Sequence, residues 1–227
     1  MDLLPRVIAV VGMTREARII AGEGVVTVIG GGDSAALARK LEAVLAPIAQ
    51  HRPLLLSFGV CGALSVNLKA GDLIVASEVV ADGRVHAVDP DWTARLAARL
   101  PAARLAAVTA GDAMIGSAAA KQTLFEATGA SAADMESHIV ARIAARFALP
   151  FAGLRAVSDA ADHSLPPAAL AGLRPDGQPD IGAVLWALAR RPSQLPALLR
   201  TARFAERGFK ALERAAILLK PAWRTAE

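Results

Sequence analysis

Carboxylates and closely spaced glycines stand where predicted strands end or a predicted helix begins. The segment 57–64, Ser-Phe-Gly-Val-Cys-Gly-Ala-Leu, puts two glycines after an apolar strand, where backbone can approach a ligand. Asp134 and Glu136 lie at the mouth of a helix that is otherwise apolar. Ser158 and Asp159 end another strand, at the edge where open α/β sheets bind ligands. Each segment alone also fits a turn or a helix cap, so the prediction of a site rests on all three together.

Strand-length apolar runs alternate with longer stretches of helical periodicity along most of the chain. The predicted strands cover residues 6–11, 25–29, 54–58, 73–76, 105–109 and 151–157. The predicted helices cover residues 33–49, 91–100, 117–128 and 135–148. Strands that are apolar on both faces, separated by helices, indicate an α/β protein whose mostly parallel sheet is covered on both sides.

The C-terminal part of the chain differs in composition from the rest. Residues 162–179 are rich in Pro and Gly and predict a long connection, followed by amphipathic helices over 181–191 and 194–219. Residues 186–227 hold nine Lys/Arg against three Glu, whereas residues 1–185 hold sixteen against eighteen acids. We therefore predict a catalytic domain over 1–185 and a basic amphipathic helical extension of it over 186–227.

The charge of this extension favours an anionic surface as partner, such as the inner face of a membrane. Aromatic residues make up only 4% of the chain, which argues against a nucleic-acid partner. The alternative is that the apolar residues of the extension cover the sheet or an oligomer interface while its arginines face water.

Length and cysteine usage restrict the class of protein further. A chain of 227 residues, 54% of them hydrophobic, can bury the core of one domain without disulfides or a structural metal. Cys61 is the only cysteine, and no Cys/His pair has zinc-ligand spacing, so we expect a reducing compartment and no metal. With no apolar run of about 18 residues and no secretory leader pattern, the expected location is cytoplasmic.

A nucleotide cofactor is one alternative that the glycines raise. Residues 30–35 match G-x-G-x-x-A between a strand and a helix, but the next strand, ending at Phe58, lacks the acid of a dinucleotide site. The sequence also lacks the P-loop and G-x-S-x-G patterns. We therefore expect no cofactor.

Five segments between Val7 and Leu165 form a recognisable series: VVGMTREA, SFGVCGALSVNLKAGDLIVAS, TAGDAMI, AADMES and LRAVSDAAD. In their order and spacing they resemble the purine nucleoside phosphorylase superfamily, and within it the methylthioadenosine/S-adenosylhomocysteine nucleosidases. GALSVNLKAGD, DMESH and the basic extension resemble the hopanoid-associated phosphorylases in particular. The resemblance implies a three-layer αβα fold, with a central mixed sheet flanked by helices and extra C-terminal helices.

The implied reaction is cleavage of a purine N-glycosidic bond, releasing adenine from a 5′-substituted adenosine. For the hopanoid-associated proteins that substrate is adenosylhopane, a lipid of hopanoid biosynthesis. By family position Asp159 protonates the leaving adenine, and the apolar strand end before it would hold the carboxyl protonated by desolvation. Ser158 would orient Asp159, Glu136 would accept hydrogen bonds from the ribose hydroxyls, and Met135 would pack on the ribose.

Other positions carry over less directly. Met114 and Ile115 match the segment that sandwiches the base, and Cys61 and Gly62 stand where backbone flanks the purine. Asp134 replaces a glutamate common in the family and is given a weaker role. His86 either lines the pocket, reaches that of a neighbouring subunit in a homo-oligomer, or lies on the surface.

The nucleophile separates the two branches of the superfamily. Glu16 matches the glutamate that activates water in nucleosidases, and the chain lacks the R-x-G-S-x-G pattern of phosphorylases. We therefore predict hydrolysis. Arg15, Arg18 and Arg84 keep phosphorolysis, with inorganic phosphate as co-substrate, as the alternative; a non-catalytic nucleoside-binding protein is another.

Overall fold

The computed structural model describes residues 5–170 and 180–224, which form an α/β structure with one central sheet. The strands are β1 (Val7–Val11), β2 (Val25–Ile29), β3 (Leu54–Ala63), β4 (Leu73–Ala81), β5 (Arg84–Ala87), β6 (Arg104–Ala110), β7 (Ala132–Asp134) and β8 (Phe151–Asp159). The helices are α1 (Thr14–Ile20), α2 (Ser34–Leu45), α3 (Pro90–Arg99), α4 (Ala118–Thr128), α5 (Ser137–Phe147), α6 (Pro167–Leu170), α7 (Ile181–Arg190) and α8 (Leu195–Arg224). Two 3-10 turns cover Ala49–His51 and Pro192–Gln194.

The sheet is mixed and partly closed on itself. Its order is β2-β1-β3-β7-β6-β4-β5, and β8 pairs with both β3 and β4, so that β3, β8, β4, β6 and β7 form a ring. Five of the eight pairings are parallel, whereas β3 with β7, β4 with β5 and β4 with β8 are antiparallel. The mixed sheet implied by the family resemblance is thus confirmed.

Side chains of the central strands alternate between two helical layers. Val7, Ala9 and Val11 of β1 pack in the layer that contains α1, α3 and α8. Ile8 and Val10 pack in the opposite layer, against α2 and α5. This alternation follows from the two-residue period of a strand and builds the predicted three-layer αβα arrangement.

The structure differs from the sequence prediction at three places along this framework. β3 does not end at Phe58 but continues to Ala63, so its glycines lie within a strand and not in a turn. The short elements α1, β5 and β7 were not predicted, because each has only three to seven residues. Part of the connection predicted over 162–179 forms α6, and its residues 171–179 lie outside the described structure.

The basic extension is not separate from the core. The second half of α8, with Phe209 at its start, buries Phe209, Leu212, Ala216, Leu219 and Trp223 against α1, β3 and β8. Its first half leaves Leu195 and Leu199 about half exposed. The buried residues of α8 cover the sheet, as one of the two sequence interpretations expected, whereas contact with an anionic surface stays a prediction. None of the described helices is long and apolar enough to span a membrane.

Candidate active site

A cavity of about 320 Å³ lies at the ends of β3 and β8, between the loop after β1 and helix α8. Nine of the ten residues predicted from the sequence line it together, although they come from five separate parts of the chain. They are Glu16, Cys61, Gly62, Met114, Ile115, Met135, Glu136, Ser158 and Asp159. The tenth, His86, does not line it.

Glu16 is fixed in the cavity wall by backbone donors. Its side chain is 1% exposed, and its Oε2 accepts hydrogen bonds from Gly12 N at 2.8 Å and Met13 N at 2.9 Å. Its Oε1 accepts one from Val60 N at 2.7 Å, which ties α1 to β3. A Cβ on Gly59 would lie 2.5 Å from Oε1, so the glycine makes room for the carboxylate.

Arg155, which the sequence analysis did not select, is buried behind the cavity and binds its carboxylates. Its Nε lies 2.8 Å from Asp134 Oδ2, although the N–H does not point along that contact, and its Nη1 lies 3.4 Å from Glu136 Oε2. Its Nη2 donates to the hydroxyls of Ser57 and Ser137. One guanidinium thus links β3, β7, α5 and β8 around the site.

More carboxylates than cations lie at this site, and this excess of negative charge affects the pKa values of the two glutamates. Burial raises the pKa of Glu136 to about 7, and the nearby carboxylates of Asp134 and Glu16 add to the rise while Arg155 opposes it. Burial also raises the pKa of Glu16, against the lowering effect of its backbone N–H donors and of Arg155. Both glutamates are therefore stronger bases than exposed ones.

The raised pKa of Glu136 makes stability depend on pH in a specific direction. Between the ordinary pKa of 4.5 and about 7, the folded protein holds a proton that the unfolded chain has lost, so stability falls as pH rises through this window. Replacing Glu136 by Gln removes this pH-dependent loss of stability. We expect Glu136→Gln to be more stable relative to wild type at pH 8 than at pH 5, by up to about 3 kcal/mol.

Urea unfolding at the two pH values measures this difference. Glu42→Gln, at a surface salt bridge with Arg146, is the matched control and should show no such pH-dependent gain. The same gain in both variants would contradict an ionisation cost at Glu136.

Asp159 has polar partners, contrary to the purely apolar surroundings expected from the sequence. Its Oδ2 binds the ammonium of Lys121, and Ser158 Oγ lies 2.9 Å from Oδ1. The same hydroxyl lies 3.1 Å from the carbonyl of Cys61, so Ser158 can donate to either acceptor. The predicted orienting role of Ser158 fits this contact.

The rest of the wall is apolar and fits the flat face of a base or a ribose. Cys61 is 3% exposed and burial raises the pKa of its thiol, as expected of a small buried hydrophobe and not of a nucleophile. Met114 is 40% exposed at the cavity edge, and Met135 is half-buried beside Glu136. In the described part of the chain, no group of three or more His, Cys, Asp or Glu residues could hold a metal ion.

Comparison with known families tests the resemblance noted in the sequence. The model of the phosphorylase superfamily matches residues 10–190, which include the end of β1, the glycines of β3 and all nine predicted residues that line the cavity. The chain belongs to this superfamily. No match is found among curated proteins.

Solved structures of phosphorylase-superfamily fold confirm the predicted architecture. S-adenosylhomocysteine nucleosidase of Streptococcus pyogenes, in complex with 5-methylthiotubericidin, has a TM-score of 0.68 at 15% identity, covering 97% of this chain and 99% of that one. Methylthioadenosine nucleosidase of Arabidopsis thaliana has 0.68 at 19%, covering 99% and 98%. Futalosine hydrolase of Helicobacter pylori has 0.62 at 18%, covering 94% and 97%. The enzyme class predicted from the sequence, cleavage of an N-glycosidic bond, agrees with the nucleosidases among these neighbours.

The three arginines that the sequence offered as phosphate ligands do not line the cavity. Arg15 lies outside it, paired with Glu206 at 2.7 Å and stacked over the Phe209 ring at 4.1 Å. Arg18 is exposed on α1, and Arg84 is exposed on the edge strand β5. His86 lies on the same strand opposite Val79, and its Nε2 is buried with no hydrogen-bond partner among the described residues.

Sequence reasoning missed two buried cations, Arg155 and Lys121. Arg155 gave a signal, because it is the one charged residue inside the apolar run of β8. Lys121 gave none, because a lysine in the alanine-rich helix α4 has the pattern of a solvent-facing residue.

Proposed function

We propose that this protein releases adenine from a 5′-substituted adenosine by hydrolysis of the N-glycosidic bond. The observation that carries the proposal is the charge of the cavity wall. Glu16, Asp134, Glu136 and Asp159 line it, with Lys121 as the single cation. Of the described residues that line the cavity, none is an arginine.

This charge distribution supports water over phosphate as the nucleophile. A phosphate dianion about 5 Å from a carboxylate is repelled by several kcal/mol at the effective dielectric of a protein site. Lys121 is already engaged by Asp159, and Arg155 lies behind the carboxylates that it pairs with. Neutral water meets no such repulsion.

The proposed mechanism assigns one task to each of three carboxylates that line the cavity. Glu16, held by three N–H donors and made more basic by burial, takes a proton from the attacking water. Glu136 accepts hydrogen bonds from the ribose hydroxyls, which strengthen as positive charge develops on the sugar. Asp159 donates a proton to N7, so that adenine leaves as a neutral base.

In the proposed complex, nonpolar groups of the cavity wall make the remaining contacts with the substrate. Met135 packs on the ribose, and Met114, Ile115 and the backbone at Cys61 and Gly62 flank the purine. Helices α6 and α8 contribute Ala169, Ala205 and Phe209 to the wall, together with Leu165 before α6 and Leu64 after β3. This apolar side suits a hydrocarbon 5′ substituent and supports adenosylhopane, of hopanoid biosynthesis, as the substrate.

A substrate panel tests the proposal. Purified protein is incubated with adenosine, methylthioadenosine and an adenosyl-lipid, and free adenine is quantified by chromatography. We expect adenine from at least one substrate, with the highest kcat/KM for the lipid. Absence of adenine from all three would favour the non-catalytic nucleoside-binding alternative, whereas preference for methylthioadenosine would contradict only the lipid assignment.

A lipid substrate would also require contact with a membrane. The exposed part of the C-terminal segment, residues 181–205, supports such contact. Residues 181–205 contain four arginines and no acid. Ile181, Leu185 and Trp186 of α7 are each about 60% exposed. An exposed apolar surface among basic residues suits the boundary of an anionic leaflet. Peripheral attachment at the inner membrane surface is therefore part of the proposal.

We expect the protein to sediment with anionic vesicles at low salt and to leave them at high salt. Each basic residue contributes about 1 kcal/mol to such binding, so Arg200→Glu with Arg203→Glu should weaken it by tenfold or more. The double variant Arg39→Glu with Arg99→Glu has the same net charge, changes exposed residues elsewhere and is the matched control. Equal binding to neutral vesicles, or equal loss in both variants, would contradict electrostatic contact through this segment.

A further inference from the structure

Lys121 is a buried cation at the cavity, and lysine is almost never buried unless its charge is paired. Its side chain is 1% exposed although it stands in the first turn of α4, a helix whose neighbouring residues mostly face solvent. It lines the same cavity as Asp159, which follows it by 38 residues in the chain. The helix is thus placed so that one long side chain reaches the end of β8.

The ammonium of Lys121 has an acceptor for each of its three protons. It donates to Asp159 Oδ2, to the carbonyl of Ala160 at 2.8 Å and to the carbonyl of His163 at 3.0 Å. An ammonium has three donors and no acceptor, so these contacts use its full capacity. The side chain is therefore held in one orientation, with Asp159 as its only side-chain partner among the described residues.

These contacts determine how Asp159 meets a ligand. Oδ2 is occupied by Lys121, and Ser158 Oγ lies beside Oδ1, so the carboxyl group is held from both sides. Gly62 lies close under it, since a Cβ there would be 3.2 Å from Oδ2. When Asp159 gives up a proton, the negative charge left on it faces a fixed ammonium, which stabilises that charge without rearrangement.

We propose that Lys121 is a positioning residue for proton donation to the leaving base: it orients Asp159 and stabilises the carboxylate that remains. This inference rests on the proposed function, in which Asp159 protonates the purine. A lysine that only stabilised the fold would affect all reactions at the site equally. A lysine that acts through Asp159 affects only reactions whose leaving group needs a proton.

Two ribosides separate these roles. Methylthioadenosine needs protonation of its adenine, whereas 4-nitrophenyl riboside releases a phenolate that leaves without a proton. In single-turnover reactions with enzyme in excess, Lys121→Met should cleave methylthioadenosine about 100-fold more slowly or worse, with KM in steady state little changed. Its rate on 4-nitrophenyl riboside should stay close to that of wild type. Gln122→Met, at the exposed next position of α4, should match wild type on both.

A double-mutant cycle on methylthioadenosine tests the same point independently. In an Asp159→Asn background, Lys121→Met should cause no further loss of rate, because the group that it positions is already gone. Thermal unfolding checks that each variant is folded. If Lys121→Met is not, Lys121→Gln replaces it, because its neutral amide ends one bond short of the ammonium and removes the charge that faces Asp159.

The outcomes distinguish this inference from the proposed function. If Asp159→Asn slows both ribosides equally, the acid role of Asp159 is wrong. If Asp159→Asn is selective for methylthioadenosine but Lys121→Met is not, or if the two losses multiply in the double variant, the role of Lys121 is wrong.

Discussion

Asp159→Asn is expected to lower the rate of adenine release by about 10²–10⁴-fold, the usual contribution of a general acid. Asparagine has nearly the same shape, and its amide oxygen can still accept from Lys121, so the buried lysine keeps a partner. The fold and most of the affinity for nucleoside should therefore remain. The loss should appear in kcat more than in KM, because proton donation is needed only as the bond breaks.

Initial rates of adenine release, together with the Kd of a nucleoside analogue, measure this effect. Asp162→Asn, three residues further along and exposed, is the matched control and should behave as wild type. A folded Asp159→Asn protein with near-normal turnover would show that the leaving base is protonated by another group.

Glu16→Gln is expected to reduce hydrolysis by a similar factor, about 10²–10⁴-fold. The carboxylate accepts three backbone N–H bonds through its two oxygens. A glutamine amide has one oxygen, so its NH₂ group must face at least one of those donors, and it has no basicity toward water. The variant therefore loses both the base and part of the geometry that holds it.

The effect of phosphate on Glu16→Gln separates hydrolysis from phosphorolysis. Under the hydrolytic scheme the variant stays nearly inactive whether or not phosphate is added. Activity restored by phosphate would mean that Glu16 is not the essential base. Glu126→Gln on the exposed face of α4 controls for the loss of a carboxylate elsewhere.

The alternation of apolar runs and helical stretches predicted most of the layers correctly, since burial on both faces of a strand leaves a clear pattern. It failed where glycine has another role. Gly59 and Gly62 were predicted to follow the strand and let backbone approach a ligand, with a turn as the alternative, yet they lie inside β3, where the lack of a side chain admits Glu16 and Asp159. Nothing in the local sequence distinguishes a glycine that turns the chain from one that admits a carboxylate.

Some of the site residues could likewise be predicted from the sequence and others could not. The family motifs contain residues whose type is dictated by the proposed chemistry, and nine of those selected share one cavity. The cations that balance them were missed, because their partners are distant in sequence: Lys121 binds Asp159, and Arg155 binds Asp134 and Ser57. Such pairings depend on how α4 and β8 pack, which local periodicity does not encode.

The C-terminal segment shows a third limit of prediction from the sequence. Arginines and leucines occur in both halves of α8, but its buried leucines, Leu212 and Leu219, lie in the second half. Removing residues 192–227 would strip Leu212, Leu219 and Trp223 from the core, so membrane contact is tested by surface substitutions and not by truncation.

The identity of the sugar product distinguishes hydrolysis from phosphorolysis. The protein is incubated with methylthioadenosine, with and without added phosphate, the reaction is quenched early, and the sugar is identified by mass spectrometry. Hydrolysis predicts free methylthioribose in both buffers, at equal rates and in amounts equal to the adenine released. A methylthioribose 1-phosphate product, or adenine release that depends strictly on phosphate, would show that phosphate and not water is the nucleophile.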